Sequence, residues 1–324
     1  MTAVSVVRLR QVGLTAATFL VVVAGVFAGW TDSWWWGLGW LAFPIVGVLI
    51  LLKRPGNTIG RLLWITGAGW TFSWIGYQLD GPPIGQSPAW LELVASLGGY
   101  LAWLSLIAII ALFPSGRAES RSNRVLVGLI GLTALLILLA VVLSPEPLEG
   151  SGRANPVGLE SLGDVTGAFI DQGFVIVPIL MVASLAGLIV RWRRSSGPER
   201  LQYQWLGASV AFAAVIVSSS MFLGDSGEAT SQGVPIFALF FVVGLNAVPV
   251  AIGIAVLRYH LYDISLVVSR TISYLVMTLA LVAVYAGIVT SVTRLIPDAS
   301  SLAVASATLV AAAVFRPLLR RIQH

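Results

Sequence analysis

Ten apolar runs, near residues 11–30, 37–52, 62–79, 91–113, 125–143, 174–192, 205–223, 234–257, 272–293 and 300–314, alternate along the chain with short polar gaps. A bilayer hydrocarbon core is crossed by about 20 apolar residues in a helix, or fewer when flanking side chains snorkel. The second and tenth runs are the shortest by this ruler. None shows the two-residue alternation of a barrel strand, and backbone groups in lipid must bond within their own segment, so each run predicts a helix. The expected fold is an all-α integral membrane protein, a polytopic bundle of about ten transmembrane helices over 1–314. Residues 315–324 are expected to begin a cytoplasmic amphipathic helix.

The polar gaps orient the bundle. Of 19 basic residues, 17 fall in alternate gaps: Arg8 and Arg10; Lys53, Arg54 and Arg61; Arg117, Arg121 and Arg124; Arg191, Arg193, Arg194 and Arg200; Arg258 and Arg270; Arg316, Arg320 and Arg321. Only Arg153 and Arg294 fall in the other gaps, which take most of the 14 acids. Lys and Arg concentrate in cytoplasmic loops, so both termini are expected inside a cell inner (plasma) membrane, multi-pass. One span more or fewer would destroy this segregation. The first run is longer than a secretory h-region and lacks an A-x-A site, so it is read as retained.

Composition agrees: hydrophobic residues are 57% of 324 and charged residues 10%, against about 25% charged in a soluble domain. Zero cysteines and two histidines remove thiol chemistry and His-based metal clusters, and no cofactor or metal site is expected. The excess of five positive charges flanks apolar spans in small groups, which implies an anionic inner leaflet as partner and no nucleic acid. Walker A, HExxH and GxSxG motifs are missing, and no enzyme is expected.

Trp30, Trp34, Trp35, Trp36 and Trp40 bunch around the first outer turn, and Trp64, Trp192 and Trp205 lie near inner boundaries, the pattern of an interfacial belt. The longest gap, Ser144 to Gly173, is external, acidic and rich in Pro and Gly; it is read as a cap or lid, too short for its own core. Glu92 and Asp171 lie near outer helix ends and are expected to be solvated. With Trp34, Trp35 and Trp36 they are the candidate outer-face sensing residues. Gly25 and Gly29 form a GxxxG, read as bundle packing ahead of dimerisation, and the tenth run is rich in Ala and Ser. Pro44, Pro178, Pro235 and Pro249 are expected to kink or end helices, with the Asn246 amide placed to satisfy a freed carbonyl.

The basic gaps carry more than charge. They read Arg54-Pro55-Gly56-Asn57-Thr58-Ile59-Gly60; Leu112-Phe113-Pro114-Ser115-Gly116-Arg117; Arg193-Arg194-Ser195-Ser196-Gly197-Pro198-Glu199-Arg200-Leu201-Gln202-Tyr203-Gln204-Trp205; Leu257-Arg258-Tyr259-His260-Leu261-Tyr262-Asp263-Ile264; and Phe315-Arg316-Pro317-Leu318. In order and placement this series resembles the multi-span N-terminal region of bacterial sensor histidine kinases of the actinobacterial, competence-kinase-like type. The resemblance covers nearly the whole chain. It implies a sensory module whose last span leads through a basic helix into cytoplasmic dimerisation and ATP-binding domains; the sequence stops at His324, without them. His260 is read as part of a structural linker.

Leu257, Leu261, Ile264 and Val268 recur at helical spacing, as do Phe315, Leu318, Leu319 and Ile322, each set flanked by arginines. Both segments fit helices lying on the inner leaflet. Arg258, Tyr259, Tyr262, Asp263, Arg270, Phe315, Arg316 and Pro317 are accordingly the candidate signal-coupling residues, with membrane anchoring as the simpler role. The function expected is sensing at the outer face or within the bilayer, with output through the C-terminal helix to a cytoplasmic kinase or a homodimer partner. The rival is a transporter or permease accessory subunit, disfavoured because no chain of ionisable residues crosses the midplane; a lipid-modifying membrane enzyme ranks third.

Overall fold

The computed structural model describes residues 3–27, 35–79, 88–146, 154–224 and 236–257. Their helices are α1 (Ala3–Phe27), the single turn α2 (Trp35–Leu38), α3 (Ala42–Lys53), α4 (Thr58–Leu79), α5 (Ala89–Leu112), α6 (Arg121–Leu143), α7 (Gly163–Arg194, entered through a 3-10 turn, Glu160–Leu162), α8 (Gly197–Gly224) and α9 (Ile236–Leu257). Every regular element among the described residues is helical. The helices α5, α6 and α7 are long and apolar enough to cross a membrane, and shorter apolar stretches lie at Gln11–Gly25, Ala42–Lys53 and Phe241–Leu257.

The chain forms two compact units, Met1–Leu206 with Pro249–His260, and Gly207–Val248 with Leu261–His324. The first is built on α3, α4 and α5, whose close approach follows from missing side chains. A Cβ on Gly47 would stand 2.7 Å from the backbone nitrogen of Trp64, one on Gly60 2.9 Å from the Ile50 side chain, and one on Gly67 would collide with the Pro44 ring. On the other face of α4, a Cβ on Gly98 would lie 2.8 Å from the Gly69 carbonyl oxygen, and Gly76 packs on Ala95. Lipid tails are as apolar as leucine, so membrane helices associate by such close contact and by hydrogen bonds. Both occur here: the Thr66 and Ser105 hydroxyls, buried between α4 and α5, lie 2.8 Å apart.

Helices α6 and α7 pack on α5 through two apolar clusters. Ile107, Ala111, Ile130 and Leu180 form one; Leu93, Ile137 and Val141 form the other. Their outer sides stay apolar: Val125, Leu129, Leu132, Leu135 and Leu139 on α6, and Val175, Ile179 and Val182 on α7, are exposed. A helix apolar on every side needs an apolar surround, protein or lipid.

Several expectations are corrected. The second run is not one helix: α2 ends at Leu38 and α3 starts at Ala42. Residues 163–173, read as lid, are the first turns of α7, whose 32 residues span roughly 48 Å at about 1.5 Å per residue. Among the described residues of the rest of that gap, Asn155 is clamped to α6: its Nδ2 donates to the carbonyls of Val141, Val142 and Ser144 at 3.1, 3.0 and 2.8 Å. Of the two effects expected of the prolines, ending a helix does not occur at Pro178 and Pro249, which lie inside α7 and α9, while Pro44 occupies the first turn of α3, where a missing N–H costs nothing. Pro235 lies outside the described residues. In the second unit the Asn246 amide donates to the Val242 carbonyl at 2.8 Å, an acceptor already in the helical ladder.

Several of the tryptophans, half-buried or exposed, also make specific contacts. Trp40 stacks on Trp70 at 4.4 Å and Trp70 meets Trp103 edge-on at 5.0 Å, while Trp64 Nε1 donates to Thr18 Oγ1 on α1 at 2.9 Å. Gly25 faces Thr71 of α4, the internal packing expected of it; Gly29 lies outside the described residues.

Candidate functional site

The last turn of a helix leaves four carbonyls without intrahelical donors. At the end of α5 all four can be followed. Ile109 O accepts from Phe113 N at 2.9 Å and Leu112 O from Gly116 N at 2.8 Å. Proline has no N–H, so Pro114 removes the donor that Ile110 O would otherwise receive. Arg191, from the last turn of α7, supplies it: Nη2 donates to Ile110 O at 2.8 Å and Nη1 to Ala111 O. Asn123 Nδ2, from the first turn of α6, also donates to Ala111 O, at 2.9 Å. A cation at this end also meets the negative pole of the α5 dipole.

The turn that allows this is Phe113–Arg117. Gly116 has φ 74°, the left-handed conformation, and a Cβ there would press on Thr58 at 3.3 Å. The adjoining helix starts are capped by the same motif residues. Asn57 Oδ1 accepts from Gly60 N at 2.9 Å, Ser120 Oγ from Asn123 N at 3.1 Å, and α8 opens with Gly197, Pro198 and Glu199, a proline and an acid in the first turn. The Pro, Gly, Asn and Ser residues that accompany the arginines are therefore turn and cap chemistry.

Tyr203 of α8 is buried edge-on against Phe113, ring centroids 6.0 Å apart. Its phenol donates to Glu199 Oε1 at 3.3 Å. It precedes the apolar run that begins at Trp205, and burial, opposed by the charge of Arg191, pushes its pKa up to about 12. The group stays a donor throughout the physiological range. Its neighbour Gln202 donates from Nε2 to Ala255 O, near the end of α9, at 2.8 Å. Phe113, Ser115, Arg117, Glu119, Ser120, Asn123, Arg191 and Tyr203 together line a pocket of about 90 Å³, with a buried aromatic floor and an exposed polar rim.

Neither a family model, nor a curated protein, nor a solved structure matches the chain. The site thus stands on its own geometry.

The predicted site residues are distributed differently. Arg258, Tyr259, Tyr262, Asp263, Arg270, Phe315, Arg316 and Pro317 lie outside the described residues, as does Trp34. Trp35 and Trp36 belong to α2 by backbone. Glu92, expected to be solvated, is instead 2% exposed in the first turn of α5, because it lies with Leu93 on the buried side of that turn while Trp90 lies on the exposed side; Asp171 is exposed on α7. In the sequence the cluster around Arg191 reads only as charge. Its signal is Pro114, which predicts an orphaned carbonyl in need of a donor from elsewhere.

Proposed function

We propose that this chain is a membrane-embedded signal-transducing module of ten helices in the plasma membrane, both termini cytoplasmic. It receives its stimulus at the outer face or within the bilayer and passes it through the C-terminal segment to a cytoplasmic kinase or other partner. One observation carries the reading: the ends of five helices at the basic end are tied in series. Arg191 and Asn123 join α7 and α6 to the end of α5, Phe113 packs on Tyr203, and Gln202 holds the end of α9. Ala255 lies three residues before Arg258, where the expected coupling segment begins. A shift of α7 that strained the Arg191 bonds would reach α9 through side chains in contact, a contiguous network of the kind that carries coupling.

The test joins His324 to the cytoplasmic half of a sensor histidine kinase and measures autophosphorylation in proteoliposomes. Network substitutions change coupling by about 0.5–2 kcal/mol, so Gln202→Leu and Arg191→Ala are expected to shift phosphorylation at least about twofold. A folded chimera indifferent to both would end the signalling reading. The orientation has its own check, since the chain has no cysteine: Ser115→Cys should react with a membrane-impermeant thiol reagent only in inverted vesicles, and Ser151→Cys only in right-side-out cells.

A further inference from the structure

The pocket beside Arg191 has donors that the fold does not use. Arg191 Nε is buried without a hydrogen-bond partner, although the same guanidinium donates one bond from each of its other two nitrogens. Arg117, exposed on the rim, makes no hydrogen bond or ion pair through its guanidinium with any described residue. The hydroxyls of Ser115, bonded to the Arg117 backbone, and of Ser120, bonded to Asn123 N and Ser122 Oγ, stand on the same rim. The Arg117 guanidinium, exposed beside these hydroxyls, lacks one thing, an acceptor bearing several oxygens.

We propose that this pocket binds a phosphate oxyanion, specifically the phosphodiester of an anionic phospholipid headgroup. The volume of about 90 Å³ holds a group larger than a single water, for which about 10–15 Å³ of such space suffices. Charge selects the species. Two guanidiniums and the Glu119 carboxylate leave a net +1 in the lining, which matches the monoanionic diester of phosphatidylglycerol better than a dianion. The hydroxyls and guanidiniums meet the oxygens, the exposed rim admits the headgroup, and Phe113 and Tyr203 close the floor. Placing an anionic leaflet at this end rests on the orientation proposed above; the donor set does not.

Purified full-length chain in neutral maltoside detergent is titrated with phosphatidylglycerol, with phosphatidylcholine and with inorganic phosphate, and the thermal midpoint is read. Phosphatidylglycerol is expected to give a saturable rise and phosphatidylcholine a much smaller one. Loss of one charge-assisted contact weakens binding about tenfold, so Arg117→Gln should right-shift the titration by that factor. Arg54→Gln, at the same end but outside the pocket, should leave it unchanged. No saturable rise with either ligand, or equal weakening by both variants, overturns the proposal. A rise with inorganic phosphate alone, lost in Arg117→Gln, retains the oxyanion site and overturns its lipid source. Binding in detergent involves neither orientation nor kinase output, so its failure would leave the signalling reading standing.

Discussion

Arg191 Nη2 donates to the carbonyl oxygen of Ile110 at 2.8 Å across 81 positions of sequence, filling the place left by the absent N–H of Pro114. A proline that ends one helix thereby creates the acceptor by which another helix is held. The bond joins α5 to α7 at the end of the bundle where the arginines collect, and it makes one of those arginines a structural donor as well as a topological charge.

Removing that donor should cost more than removing charge. Arg191→Ala leaves Ile110 O buried without a partner, a penalty of about 1–3 kcal/mol. Arg191→Lys keeps the charge but loses the planar fork that reaches two carbonyls. Thermal midpoints in detergent should fall in the order wild type, Lys, Ala. Lys and Ala variants of equal stability to wild type would show that the two bonds contribute nothing.

Asn123 shares the Ala111 carbonyl with Arg191, so the two should not act independently. Asn123→Ala alone leaves that oxygen bonded and should cost about 1 kcal/mol or less. Combined with Arg191→Ala it strips the last donor, and the double variant should lose more than the sum of the singles, by about 0.5 kcal/mol or more. Strict additivity in chemical denaturation would remove the shared-acceptor account.

Several helices were legible because apolar length and the absence of strand alternation leave few options; α4, α5, α6 and α9 begin and end within a few residues of the runs that predict them. The start of α7 was not legible. Gly163, Asp164 and Gly167 read as loop residues, and it is the bonds of Asn155 and Leu159 to the end of α6 that position that turn. Glu92 was misplaced for a related reason: sequence gives depth along a helix but not which side of it faces a neighbour. The glycines of α4 could have been found, since Gly60 and Gly67, and Gly69 and Gly76, recur at seven residues and so mark two faces, those that meet α3 and α5. The site around Arg191 was hidden because topology alone already accounts for an arginine at that end.

Those glycine faces give a sharp contrast. A side chain at Gly67 runs into Pro44 and one at Gly69 into the backbone of Gly98, where neither neighbour is a flexible tip. Gly67→Ala and Gly69→Ala should each destabilise by about 1–3 kcal/mol through overpacking. A methyl added at Gly128 on α6 would have nothing within 4 Å, so Gly128→Ala should be neutral or stabilising by up to about 1 kcal/mol from helix propensity. Equal effects at all three positions would contradict the packing described.

Asn155 tests whether the clamp on α6 is local. Its amide satisfies three carbonyls at a helix end, it is 8% exposed, and Oδ1 accepts from Val157 N at 3.1 Å. Leu159 N adds a backbone bond to Leu143 O at 3.0 Å, so the segment keeps one tether when the side chain goes. Asn155→Leu matches the volume but offers no donor, and about 1–3 kcal/mol of unmet hydrogen bonding should appear there. The α3–α4–α5 packing lies elsewhere and shares no partner with Asn155. Amide exchange between residues 154 and 163 should therefore quicken while exchange in α4 and α5 stays near wild type, because local opening draws on local bonds. Uniform acceleration across α4, α5 and α6 would mean instead that the clamp supports the whole unit, and that the segment between α6 and α7 belongs to its core.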